Sequence, residues 1–70
     1  MYHFLKGKVD EVGKDFIILN VNNVGYFIFL ATMKKFNTNE EVKLFIHTVF
    51  KDDGQYLIGF SNKEEKELFN

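Results

Sequence analysis

Short apolar runs separated by turn residues fill most of the chain. Runs of this length, rich in β-branched and aromatic residues, are typical of β-strands. They predict five strands, at residues 2–12, 16–19, 24–30, 41–51 and 56–60. The second run, Phe16–Leu19, is apolar throughout and is therefore predicted to be buried on both faces. Asn22-Asn23 predicts a tight hairpin between the second and third strands.

The segment between the last two runs predicts another hairpin. Asp53-Gly54 is a strong hairpin signal, because a primed turn needs positive φ at its central residues. A two-residue loop at this point places Lys51 opposite Tyr56. We define the acidic tip of this hairpin as Lys51, Asp52, Asp53 and Gly54.

Two short segments depart from the strand pattern. Residues 32–36 are too few for a stable helix, and they predict a single helical turn between the third and fourth strands. Ser61 as an N-cap, with Glu64 three residues later, predicts a helix over residues 63–69. Only Leu68 and Phe69 of an apolar stripe precede the end of the sequence, so we expect further chain to follow.

The predicted fold class is all-β. We expect a five-stranded OB-fold barrel over residues 1–60, followed over residues 61–70 by the start of a helix. A small SH3-like barrel is the alternative fold. In an OB-fold the loop between strands four and five often contacts nucleic acid, and in this chain that loop is the acidic tip.

Composition narrows the range of functions. Apolar residues make up 46% of the 70 positions, with nine Phe and three Tyr, which suits a small domain that needs a rich core. The absence of cysteine excludes a disulfide framework and favours the cytoplasm, and no apolar run reaches membrane-spanning length. Nine lysines, no arginine and a net charge of −1 argue against an autonomous nucleic-acid binder.

The residues show no arrangement typical of catalysis or metal binding. The single serine lies at the predicted helix cap, and His3 and His47 are far apart in sequence. Asp52 and Asp53 are adjacent on a turn and point in different directions, unlike a catalytic carboxylate pair. We expect no enzyme activity, no cofactor and no metal, with His47 half-buried on a sheet face.

The apolar side chains exceed what one barrel interior holds. Core packing is the favoured prediction for four phenylalanines with apolar neighbours, and base stacking is the alternative. These four are Phe27, Phe29, Phe45 and Phe50. A further apolar set on the outer face of the final hairpin predicts an interface with a helix, the rest of the protein or another subunit. Its members are Phe45, His47, Val49, Tyr56, Ile58 and Phe60.

Four segments of the chain resemble the N-terminal domain of the RuvA family, the bacterial Holliday-junction-binding subunit of the branch migration complex. The segments occur in the family's order and with nearly constant spacing, and they are Met1–Val9, Asn23–Tyr26, His47–Phe60 and Glu67–Phe69. The chain departs from the family at two points. Lys51 and Asp52-Asp53 stand where the family has Arg and then Glu-Asp, and Asn23 replaces a common glycine.

The resemblance implies a homotetramer that holds a four-way DNA junction open and flat during homologous recombination and DNA repair. It implies that Asp52 and Asp53 form an acidic pin near the junction centre, with Lys51 and Gly54 as its base and turn. It implies a partner, the RuvB motor ATPase, and helix-hairpin-helix and motor-binding segments after Asn70. The residues alone leave two alternatives open, a protein-interaction barrel and an autonomous single-strand nucleic-acid binder.

Overall fold

Five strands and one helix form in the computed structural model, which describes residues 3–32 and 34–69. The strands are β1 (Phe4–Val12), β2 (Phe16–Val21), β3 (Val24–Leu30), β4 (Glu41–Lys51) and β5 (Gly54–Phe60), and the helix is α1 (Lys63–Phe69). All five predicted strands and the predicted helix are confirmed. The predicted start of the first strand at Tyr2 lies outside the described residues. Residues 32 and 34–36 form no helical turn, so that prediction is wrong there, and Met33 lies outside the described part.

The strands close into a barrel in the order β1-β2-β3-β5-β4. β1 pairs with β4 over Phe4–Lys8 and with β2 over Lys8–Val12, and a bulge between Val9 and Glu11 interrupts the register with β2. All pairs are antiparallel except β3 with β5, which is parallel. This closed five-stranded barrel confirms the predicted OB-fold architecture.

Alternate residues along each strand fill the barrel interior with aliphatic side chains. Among them Val9, Ile17, Leu19, Ile28 and Leu44 have no exposed surface. Phe36, from the segment between β3 and β4, belongs to the same cluster. A five-stranded barrel is narrow, so branched aliphatic side chains occupy its interior and leave little room for rings.

The prediction that aromatic residues pack in the core is therefore wrong for two phenylalanines. Phe27 is 47% exposed and Phe50 is 68% exposed. Phe29 and Phe45 are half-buried, and both lie on the outer face of the barrel because their neighbours Ile28, Leu44 and Ile46 point inward.

The turn of the β4–β5 hairpin lies one residue earlier than predicted. Its turn consists of Asp52 and Asp53, and Lys51 pairs with Gly54 rather than Tyr56. Neither aspartate has positive φ. The residue with positive φ is instead Gly54, at 143°. A turn with negative φ followed by a permissive glycine satisfies the hairpin without a primed turn. The register differs by two residues, so every side chain keeps its predicted face.

The Asn22-Asn23 hairpin follows its prediction. Their φ values are 51° and 68°, which are those of a primed turn, and Val21 pairs with Val24 across it. The N–H of Asn23 also donates to Oδ1 of Asn20 at 2.9 Å.

The N-cap of α1 lies one residue later than predicted. The N–H of Glu65 donates to Oδ1 of Asn62 at 2.8 Å, so Asn62, not Ser61, is the cap. The carboxylate that bonds back to the start of the helix is that of Glu65 rather than Glu64. Its Oε1 accepts hydrogen bonds from the Ser61 hydroxyl at 2.8 Å and from the Ser61 N–H at 3.0 Å. The hydroxyl bond is the largest cause of the lowered pKa of Glu65. α1 packs against β4 and β5, and the side chain of Leu68 is exposed.

Gly7 on β1 permits the close approach of β2. A Cβ at this position would collide with the backbone carbonyl oxygen of Asn20, which cannot move without disrupting the sheet. We expect Gly7→Ala to lower the free energy of unfolding by about 3 kcal/mol, measured by urea denaturation.

Gly25→Ala is the matched control for Gly7→Ala. Its added Cβ would meet only Cγ2 of Ile18, at 3.4 Å, which is an ordinary contact. We expect a change of less than about 1 kcal/mol. Equal urea midpoints for the two variants would contradict this account of the β1–β2 packing.

Candidate functional site

The acidic tip lies at the end of a projecting two-stranded ribbon. β4 pairs with β1 only as far as Phe45, and β5 pairs with β3 only from Leu57 onward. Between these points the two strands pair with each other alone. All four residues of the tip are exposed. The hairpin therefore carries two carboxylates and one lysine away from the body of the barrel.

The two aspartates of the tip have different surroundings. The Tyr56 hydroxyl donates a hydrogen bond of 2.7 Å to Oδ2 of Asp53. This bond is the first cause, and burial the second, of a Tyr56 pKa above the ordinary tyrosine value. Within residues 3–32 and 34–69, the Asp52 carboxylate has no hydrogen bond or ion pair. Asp52 is thus the unengaged charge of the pair.

Lys51 completes the tip from the β4 side. Its Nζ lies 5.8 Å from the centroid of the Tyr56 ring, within the range of a cation–π contact. The ring thus lies close to a lysine of β4 while its hydroxyl binds an aspartate of the turn. The sequence predicted Lys51 near Tyr56, and the structure adds the hydrogen bond from Tyr56 to Asp53.

Below the tip, the outer face of the barrel has a shallow hollow of about 380 Å³. Its lining is largely apolar and comprises Phe29, Val49, Lys51, Tyr56 and Ile58. Three of these, Val49, Tyr56 and Ile58, belong to the predicted interface set, so the structure brings that part of the set together beside the acidic tip.

An aromatic row extends the hollow across β2 and β3. The rings of Phe16 and Phe27 stack with centroids 4.5 Å apart, and Phe27 and Phe29 meet edge to face at 5.0 Å. Phe29 lies 6.2 Å from Tyr56. The prediction that Phe16–Leu19 is buried on both faces is wrong for Phe16, which is only half-buried, and sequence reasoning missed Phe27 as a surface residue. The alternation of β3 could have found Phe27, because a buried Ile28 requires its neighbours to face outward.

The remaining predicted interface residues divide into two groups. Phe45 and His47 are half-buried on the outer face of β4, as expected for His47. Phe60, opposite Phe45, is only 2% exposed although it faces outward, because α1 packs over this end of the hairpin. The chain's own helix therefore covers Phe60, which offers no free surface.

No three His, Asp or Glu side chains within residues 3–32 and 34–69 lie close enough together to hold a metal ion. In the same part of the chain, no helix has the length and apolar character needed to span a membrane.

The barrel and its site define a small OB-fold module that projects an acidic hairpin beside an apolar outer face. A family model described as the RuvA N terminal domain matches residues 1–59. The chain belongs to the RuvA N-terminal domain family.

Relatives in three streptococcal species agree with this assignment. Proteins of Streptococcus agalactiae serotype V (37% identical), Streptococcus sanguinis (34%) and Streptococcus equi subsp. zooepidemicus (34%) are each named Holliday junction branch migration complex subunit RuvA. Each match covers 99% of this chain and 36% of the relative. The chain therefore spans about a third of the length of these relatives.

Proposed function

We propose that this chain is the N-terminal domain of a Holliday-junction-binding subunit that acts in bacterial branch migration, in homologous recombination and DNA repair. Residues 1–60 form its barrel, and residues 61–70 begin a helix that leads to a DNA-binding domain. The observation that carries the proposal is the exposed acidic turn, Asp52-Asp53, on a projecting hairpin of a barrel that belongs to this family.

The tip acts on DNA by repulsion. A carboxylate about 4 Å from a phosphate is repelled by about 1 kcal/mol in water and by about 4 kcal/mol at an effective dielectric of 20. Four such tips near the centre of a tetramer would keep the arms of a four-way junction from stacking over the middle. Asp52 and Asp53 thus form an acidic pin, with Lys51 at its base and Gly54 in its turn.

The apolar outer face provides subunit contacts. Exposed apolar surface of this kind usually marks an interface, and here it adjoins the tip that must lie near the centre of the assembly. The candidate contact residues are Phe45, His47, Val49, Tyr56 and Ile58, extended by the aromatic row. The subunit is non-catalytic and works in the cytoplasm, and the ATP hydrolysis that drives migration comes from the RuvB motor ATPase.

A comparison of this 70-residue chain with the full-length protein tests the proposal in a gel-shift assay. With a net charge of −1, the chain alone should bind a four-way junction poorly, whereas the full-length protein should bind it in preference to linear duplex. A full-length protein that shows no preference for the junction would contradict the proposal.

The aromatic row favours one other candidate function. Phe16, Phe27 and Phe29 form a surface row on which bases of a single strand could stack. Salt-sensitive binding of a single-stranded oligonucleotide by the 70-residue chain would support this candidate, because phosphate contacts release counterions. If the chain shows no such binding, the aromatic row is assigned to subunit contacts rather than to base stacking.

A further inference from the structure

Among the described residues, one side-chain hydrogen bond links the acidic tip to the barrel. It is the hydrogen bond from the Tyr56 hydroxyl to Oδ2 of Asp53, 2.7 Å long. The tip itself is exposed and belongs to a ribbon of only two strands, which is the least stable kind of sheet. A single link of this kind therefore has a large influence on where the turn lies.

The other end of this link is anchored on the barrel. Tyr56 is half-buried, pairs with Val49 across the hairpin and has its ring 6.2 Å from that of Phe29 on β3. Its ring therefore rests on the packed outer face, and its hydroxyl reaches back to the turn three residues earlier. The ring also lies under Nζ of Lys51.

We propose that Tyr56 is a positioning residue of the acidic tip, which fixes Asp53 relative to the barrel and leaves Asp52 as the charge presented outward. This inference rests on the proposed function, because in that function the tip repels DNA at the junction centre. It makes the pin a braced structure rather than a mobile charged loop, so that the charge stays where the junction centre lies.

Tyr56→Phe in the full-length protein tests the role of the hydroxyl. The variant keeps the ring, the Lys51 contact and every formal charge, and it loses only the bond to Asp53. We expect junction-over-duplex preference to fall about threefold, which is the scale of one exposed hydrogen bond. Mass by light scattering should not change, because the apolar ring remains.

Tyr26→Phe is the matched control, since it removes a hydroxyl from β3 beside the barrel core rather than the one that binds Asp53. It should leave the junction preference unchanged. A fall of equal size in Tyr26→Phe, or no fall in Tyr56→Phe, would overturn the positioning role.

A titration of the tyrosine ring carbons by NMR provides a readout that does not depend on DNA. Tyr56 should titrate above the ordinary tyrosine value in the native protein and return toward it in Asp53→Asn, because the bond to the carboxylate holds the phenol proton. Asp52→Asn should leave this titration unchanged. An identical Tyr56 titration in Asp53→Asn would also overturn the inference.

These experiments separate the inference from the proposed function. If neutralising both aspartates changes junction preference and Tyr56→Phe does not, the acidic pin stands and the brace falls. If neutralising both aspartates has no effect on the preference, the pin itself fails, whatever the Tyr56 titration shows.

Discussion

Neutralising the pin in the full-length protein, with Asp52→Asn and Asp53→Asn together, should tighten binding to linear duplex DNA and reduce the preference for a four-way junction. Removing about 1 kcal/mol of repulsion from one tip corresponds to a gain of roughly fivefold in duplex affinity, and closer contact gives more. Branch migration with the motor ATPase should slow, because nothing then keeps the exchanging strands apart. Binding titrations on junction and duplex DNA at one fixed salt concentration measure both affinities.

Asp10→Asn with Glu11→Gln is the control for the loss of negative charge. Both residues are exposed on β1, and the change in net charge equals that of the pin variant. This control should gain affinity for junction and duplex alike and so keep its preference for the junction. An equal loss of preference in both double variants would mean that net charge, not the placement of the pin, sets selectivity.

Ile58→Lys in the full-length protein should weaken subunit assembly. Ile58 lies in the hollow below the tip, where subunit contact would bury the introduced ammonium group among Phe29, Val49 and Tyr56. A cost of about 2 kcal/mol, the scale of an interface hot spot, weakens association by roughly 30-fold. Sedimentation or light scattering over a concentration series should show smaller species than the native protein forms.

Val24→Lys is the control for an added lysine. Val24 is 52% exposed at the start of β3, beside the Asn22-Asn23 turn and outside the hollow. The Val24→Lys protein should assemble as the native protein does. If Ile58→Lys also assembles normally, the outer face of the hairpin is not the subunit interface.

The strands and the barrel could be predicted because their signals are local. Alternating or continuous apolar runs and two turn signals specify the five strands, and the period of two preserved the faces of Val49, Tyr56 and Ile58 even though the register was two residues off. The resemblance to the family located the acidic pair without any geometry. The positions of the strands and of the acidic pair thus follow from residue type and order alone.

The errors arose where neighbouring residues can fill the same structural role at similar free energy. Gly54 supplies positive φ after the turn as well as within it, and Asn62 caps a helix as well as Ser61 does. Phe27 faces outward because the interior is filled by aliphatic side chains contributed by distant strands. The Tyr56–Asp53 bond depends on the hairpin register, which was predicted two residues away from the observed one.

Fluorescence energy transfer across a four-way junction, with dyes on the ends of two arms, tests the pin most directly. The full-length native protein should hold the arms in an open arrangement. The Asp52→Asn and Asp53→Asn protein, at saturating concentration, should shift transfer toward that of the stacked, protein-free junction. Identical transfer efficiencies for the two bound proteins would contradict the claim that the acidic tip keeps the junction open.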